Sequence, residues 1–152
     1  MERTIASFQN MLIEHGPYDL WATITFRRIR GVEGARKGLK GFLKRLNTPE
    51  ETFINNFLFC FVLYDTGNGR KGVHIHALIR GIHPLKAESF QKRCAEEFGR
   101  SEAMPYQPSI NPNATLYLAQ KFARSTLADW EFIKVNPFKH RKSLMRRQRV
   151  QL

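Results

Sequence analysis

The chain has 152 residues, 42% of them hydrophobic and including 12 Phe, which suits one domain with one core and no need of covalent staples. Its 25 Lys and Arg against 13 Asp and Glu leave a formal charge of +12 and a pI of about 10.2. That balance points to a polyanionic partner, nucleic acid being the usual one, although a basic chain that binds nothing stays open on charge alone. An acidic membrane surface is disfavoured, because no amphipathic basic helix carries exposed Trp or Leu. The apolar run 57–64 is too short to cross a bilayer, and residues 1–16 lack a signal-peptide core. Cys60 and Cys94 read as reduced thiols, so the expected location is the cytoplasm, in a microbe or in the host of a plasmid, phage or virus.

Along the chain, residues 20–27 alternate as a strand, with Ala22, Ile24 and Phe26 on one side and Trp21, Thr23, Thr25 and Arg27 on the other. Leu39, Phe42, Leu43 and Leu46 recur at helical spacing within 34–46. The continuous apolar run 57–64 predicts a central strand, and 65–70 a turn. Residues 73–80 alternate again and form a hairpin with that strand. A second helix is predicted over 85–98, with Gly99 as its stop. A short strand is expected at 106–110, demoted to an edge or bulge by Pro108. Asn111-Pro112-Asn113 signals the start of a helix running to about Arg124, and 130–135 reads as a last strand. Residues 139–152 form a basic tail without an acid. The order predicts an α+β sheet with helices covering one face and the other face open to nucleic acid. The expected division is a single domain over 1–138 followed by the tail.

The chemistry begins in the strand 73–80. Val73, Ile75, Ala77 and Ile79 share its packed face, so His74 and His76 point to the other, close enough for one metal ion. Two unrelated surface histidines would show the same spacing. On a helix, Tyr117 and Lys121 lie one turn apart on one face, which also suits a core tyrosine and a solvated lysine. Asp65 ends the strand before the His pair; it is a carboxylate for a hard cation or the first residue of a turn.

The run Gly72-Val-His-Ile-His-Ala-Leu-Ile-Arg80 resembles the His-hydrophobic-His motif of the HUH endonucleases, a group of rolling-circle replication initiators, parvovirus-type initiator nucleases and single-tyrosine transposases. Trp21-Ala-Thr-Ile-Thr-Phe26 looks like the initiators' first motif, Tyr117-Leu-Ala-Gln-Lys121 like their third, and Leu127-Ala-Asp-Trp-Glu-Phe132 like their closing strand. The resemblance covers about residues 20–135, and the His pair and the tyrosine helix are its specific parts; the fold it implies is a central antiparallel sheet with helices packed mainly on one face and the metal site on the open face.

What the resemblance implies is a metal-dependent, site-specific single-stranded DNA nickase and strand-joining enzyme. Tyr117 would be the nucleophile forming a 5′-phosphotyrosine, and Lys121 would stabilise charge. His74, His76 and Asp65 would hold Mn²⁺ or Mg²⁺, with Gln120 ranked below the carboxylate because it follows Tyr117 by three residues rather than four. Thr23, Thr25, Arg27, Arg28 and Arg124 are the residues expected along the DNA. The partners implied are single-stranded DNA at an origin or hairpin, and a host, plasmid or phage helicase, since no Gly-rich Walker loop is present. A single-tyrosine transposase is the rival with the same chemistry. A non-catalytic single-strand binding module is the rival from another class, and it should present stacked aromatics on its strands.

Overall fold

The computed structural model describes residues 2–28, 31–66, 72–107, 113–124 and 129–137. The elements run α1 (Glu2–Glu14), β1 (Leu20–Thr25), α2 (Val32–Lys44), β2 (Ile54–Asp65), β3 (His74–Ile82), a 3₁₀ turn (Pro84–Lys86), α3 (Ala87–Glu97), β4 (Ser101–Pro105), α4 (Ala114–Arg124) and β5 (Asp129–Val135). The five strands make one antiparallel sheet in the order β4-β1-β3-β2-β5. The α+β class with a central antiparallel sheet therefore stands.

Strand periodicity sorts the side chains onto two faces. Leu20, Ala22 and Ile24 of β1, Leu58, Cys60, Val62 and Tyr64 of β2, and Ile75, Ala77 and Ile79 of β3 pack with Leu39, Phe42 and Leu43 of α2 and Phe90 and Cys94 of α3. On the other face, Phe59, Phe61, Leu63 and Leu78 pack with Phe8 and Leu12 of α1 and Leu118 and Ala119 of α4. The helices, expected mainly on one face, thus divide two and two. The second face is not open: β2 and the adjoining part of β3 carry apolar residues on both sides, and this second apolar stripe needs a cover.

Two further differences have local reasons. Helix α1 was not anticipated, because charges interrupt its apolar residues; in the fold, Phe8 stacks on Phe122 at 4.3 Å and the Tyr18 hydroxyl donates to the Leu12 carbonyl at 2.6 Å. The strand after α3 is Ser101–Pro105 and not 106–110; Gly99, at φ +142, turns the chain so sharply that β4 begins at once beside β1. A side chain at Gly99 would collide with the backbone of Thr25 and Arg27. The helix-start residues Asn111 and Pro112, the strand-breaking Pro108, Arg30, and the tail 139–152 lie outside the described residues.

Leu12 is fully buried beneath the sheet. Leu12→Ala is expected to cost about 2–5 kcal/mol in chemical denaturation, since the cavity opens between α1 and the strands. A cost below about 1 kcal/mol would mean that α1 does not cover this face.

Candidate functional site

The site forms where the apolar cover of the second face ends. Along β3, Leu78 lies under the helices, while His76 and His74 precede it toward the start of the strand. Antiparallel register places Thr23 opposite His76 and Thr25 opposite His74 on β1, and Asp65 opposite His74 on β2. Period-two alternation points all five toward the face that carries α4. The apolar partner residues Ile75 and Ala77 anchor the other side, so the histidines are fixed in direction by the core itself.

The two threonines meet the ring nitrogens. Thr25 Oγ1 lies 3.1 Å from His74 Nδ1, and Thr23 Oγ1 lies 3.5 Å from His76 Nδ1, the latter long for a hydrogen bond. A hydroxyl held at Nδ1 fixes the direction of an imidazole ring, the way ligand histidines are oriented where a metal is bound. His76 and Asp65 are both only 6% exposed. His76 Nε2 is buried and has no hydrogen-bond partner, although Asp65 Oδ2 stands 3.5 Å away. That separation satisfies an ion-pair distance but not hydrogen-bond geometry. Unpaired buried polar atoms are uncommon, and this one faces a carboxylate.

A divalent ion suits the pair. Two ligands about 2.1 Å from one ion lie about 3.0 Å apart at a right angle and about 3.5 Å apart at a wider one. Neutral imidazole and carboxylate are donors that Mn²⁺ and Mg²⁺ accept. His74 shares the face, but among the described residues no three His, Cys, Asp or Glu side chains converge closely enough to enclose an ion. The third expected ligand is therefore near but not assembled with the other two.

Helix α4 brings in the remaining groups. Leu118 and Ala119 face the second core, Gln9 donates to the buried Thr115, and the Phe8–Phe122 stack sets the helix against α1. Tyr117 then emerges 39% exposed, with its ring edge-on to His76 at 5.8 Å between centroids. One turn later, Lys121 Nζ reaches Asp65 Oδ2 at 3.1 Å and sits 5.7 Å from the Tyr117 ring centroid. Burial works to lower the Lys121 pKa, but hydrogen bonding and charge from Asp65, with Tyr117 adding to both, hold it above the ordinary lysine value. The same oxygen of Asp65, Oδ2, thus stands between the Lys121 ammonium and the orphaned imidazole nitrogen of His76.

Seven of the ten expected site residues come together: Thr23, Thr25, Asp65, His74, His76, Tyr117 and Lys121. Arg27 goes elsewhere, donating to the carbonyls of Ala95 and Glu96 at the end of α3. Such a role at a helix C-terminus satisfies carbonyls that the helix leaves unpaired. Arg28 and Arg124 are exposed. Glu102 and Met104, absent from the expectations, lie on β4 opposite Thr23 and Trp21. No signal in the sequence marks them, because β4 was expected five residues later. Among the described residues no helix is long and apolar enough to cross a membrane. Comparisons with protein-family models, curated proteins and solved structures find no match, so the geometry stands by itself.

Proposed function

We propose that the protein is a metal-dependent, single-stranded DNA nicking and joining enzyme of replication-initiator type with Tyr117 as nucleophile. One observation carries this reading. Three separate elements bring a half-exposed tyrosine, an orphaned buried imidazole, a buried carboxylate and a lysine into one place. A core tyrosine or a solvated lysine needs no such neighbours.

In the proposed reaction Tyr117 Oη forms a bond to phosphorus and the bond from phosphorus to the 3′ oxygen breaks. The phenolic proton is lost, and the departing oxygen takes up a proton to become a free 3′-OH. The 5′ end stays on the protein as a phosphotyrosine, and attack by a 3′-OH reverses the step. A phenol with an ordinary pKa near 10 is a weak nucleophile, so the phosphate must be made more electrophilic. His76 and Asp65, with His74 beside them, would hold Mn²⁺ or Mg²⁺, which supplies Lewis-acid charge stabilisation when bound. Lys121 is near both Asp65 and the phenol, where its ammonium would steady the charge of the phosphate.

The expected partner is single-stranded DNA, with Thr23, Arg28 and Arg124 on the approaches and a separate helicase for unwinding. The expected setting is the cytoplasm of a cell. A transposase would use the same chemistry. The non-catalytic module gains support from Trp21 and Tyr117, which are 5.8 Å apart on this face. Formation of a metal-dependent covalent protein–DNA adduct decides between cleavage and simple binding.

Strand binding should depend steeply on salt. If about four phosphates are neutralised, affinity falls about fiftyfold between about 50 and about 200 mM salt, as bound counterions are released. Fluorescence anisotropy of a labelled single strand measures it. A flat dependence would remove the role assigned to the +12 charge.

A further inference from the structure

Beside Tyr117, at the β4 edge of the sheet, a cleft of about 190 Å³ is lined by Trp21, Thr23, Glu102, Met104 and Tyr117. Cross-strand register builds its floor: Trp21 lies opposite Met104, and Thr23 opposite Glu102. Tyr117 of α4 supplies its side. The volume is well below the roughly 300–1,000 Å³ of sites for drug-sized ligands, which suits a single ring system and not a whole nucleotide.

The chemistry of the lining is specific. Met104 is 42% exposed and Tyr117 39%, among five large hydrophobic side chains so exposed in the described residues. The Trp21 indole nitrogen is buried without a hydrogen-bond partner, a donor held away from water. Glu102 is an exposed carboxylate whose nearest cation, Arg100, stands 3.7 Å away. A carboxylate beside the proposed nucleophile repels phosphate, so it serves the backbone of a nucleic acid poorly. It accepts hydrogen bonds well from an amine on a base edge. An edge strand also carries charge to resist pairing with other chains, but that purpose does not explain the apolar walls.

We propose that this cleft receives one unstacked base next to the scissile phosphate, one that bears an exocyclic amine (cytosine, adenine or guanine), and disfavours thymine; this rests on the single-strand reading of the site above. The ring lies against Trp21, Tyr117 and Met104. Glu102 accepts from the exocyclic amine. Thymine presents a carbonyl where the amine would be, and that oxygen would face the carboxylate.

The test uses the full chain with short dC, dA and dT strands at low salt in EDTA, so that no cleavage is required. Binding is followed by anisotropy of a label. Quenching of Trp21 emission is read in a Trp130→Phe background, which leaves Trp21 as the sole tryptophan. The dC or dA strand should bind about tenfold more tightly than dT and quench Trp21 more strongly. Glu102→Ala should bring the affinity ratio close to one, while dT binding holds or rises as a negative charge is removed. Glu102 is on the surface, so this change should leave the fold intact, and far-UV circular dichroism verifies that. Equal binding of the three strands, binding of none, or a ratio that survives Glu102→Ala would overturn the proposal. Cleavage without base preference would sink the cleft and spare the nuclease. Base preference without cleavage on any strand would do the reverse.

Discussion

Tyr117→Phe is expected to abolish both a covalent protein–DNA adduct and the nick, while strand binding and fold persist. The change removes one oxygen from a side chain that is 39% exposed, so the packing of Leu118 and Ala119 behind it is undisturbed. Loss of the nucleophile should lower cleavage by about 10⁴-fold or more, the scale seen when a nucleophile is removed from a group acting as a unit. The substrate is a pool of random or plasmid-origin single strands labelled at the 3′ end, incubated with Mn²⁺ and resolved by denaturing electrophoresis. The wild-type protein should carry the label in a slower band that disappears with EDTA. Cleavage that continues in Tyr117→Phe would point instead to a water-activating metallonuclease. Tight binding with no cleavage on any strand would favour the non-catalytic module.

The second large effect belongs to His76. His76→Ala should end cleavage and weaken Mn²⁺ by at least about 100-fold, because it removes the buried nitrogen that faces Asp65. Calorimetric titration with Mn²⁺ reads the affinity without reference to activity. Asp65→Asn should weaken binding similarly. Thr25→Val should cost about 10–100-fold, since it releases His74 Nδ1 from the hydroxyl that orients the ring. Lys121→Met should behave oppositely: it takes away the ammonium 3.1 Å from Asp65, so Mn²⁺ binds at least as tightly while cleavage slows. If Asp65→Asn titrates like wild type, Asp65 is only the residue that opens the turn, and the metal reading loses its carboxylate.

Much of this arrangement was legible because strands alternate with period two. Once Val73, Ile75, Ala77 and Ile79 were assigned to a core, His74 and His76 had to face the other way, and Thr23 and Thr25 followed from the same count on β1. Tyr117 and Lys121 shared a helix face by the 3.6-residue repeat. These are local rules, and local rules are what a sequence carries. The sequence by itself thus determined the types of the elements from β1 to β3 and of α3 and α4, and which sides of β1 and β3 hold the polar groups. Only the tertiary structure decided which of these faces meet. The covering of the second face by α1 and α4 depends on Phe8, Leu12 and Phe122 meeting Phe61 and Leu63, residues far apart in the chain with no periodic signal between them. That packing sets the depth of α4, and so brings Lys121 to Asp65 and Tyr117 to His76. The same holds for Arg27, whose side chain turns to the carbonyls at the end of α3, and for Glu102, whose place beside Thr23 was decided when Gly99 reversed the chain and fixed the register of β4.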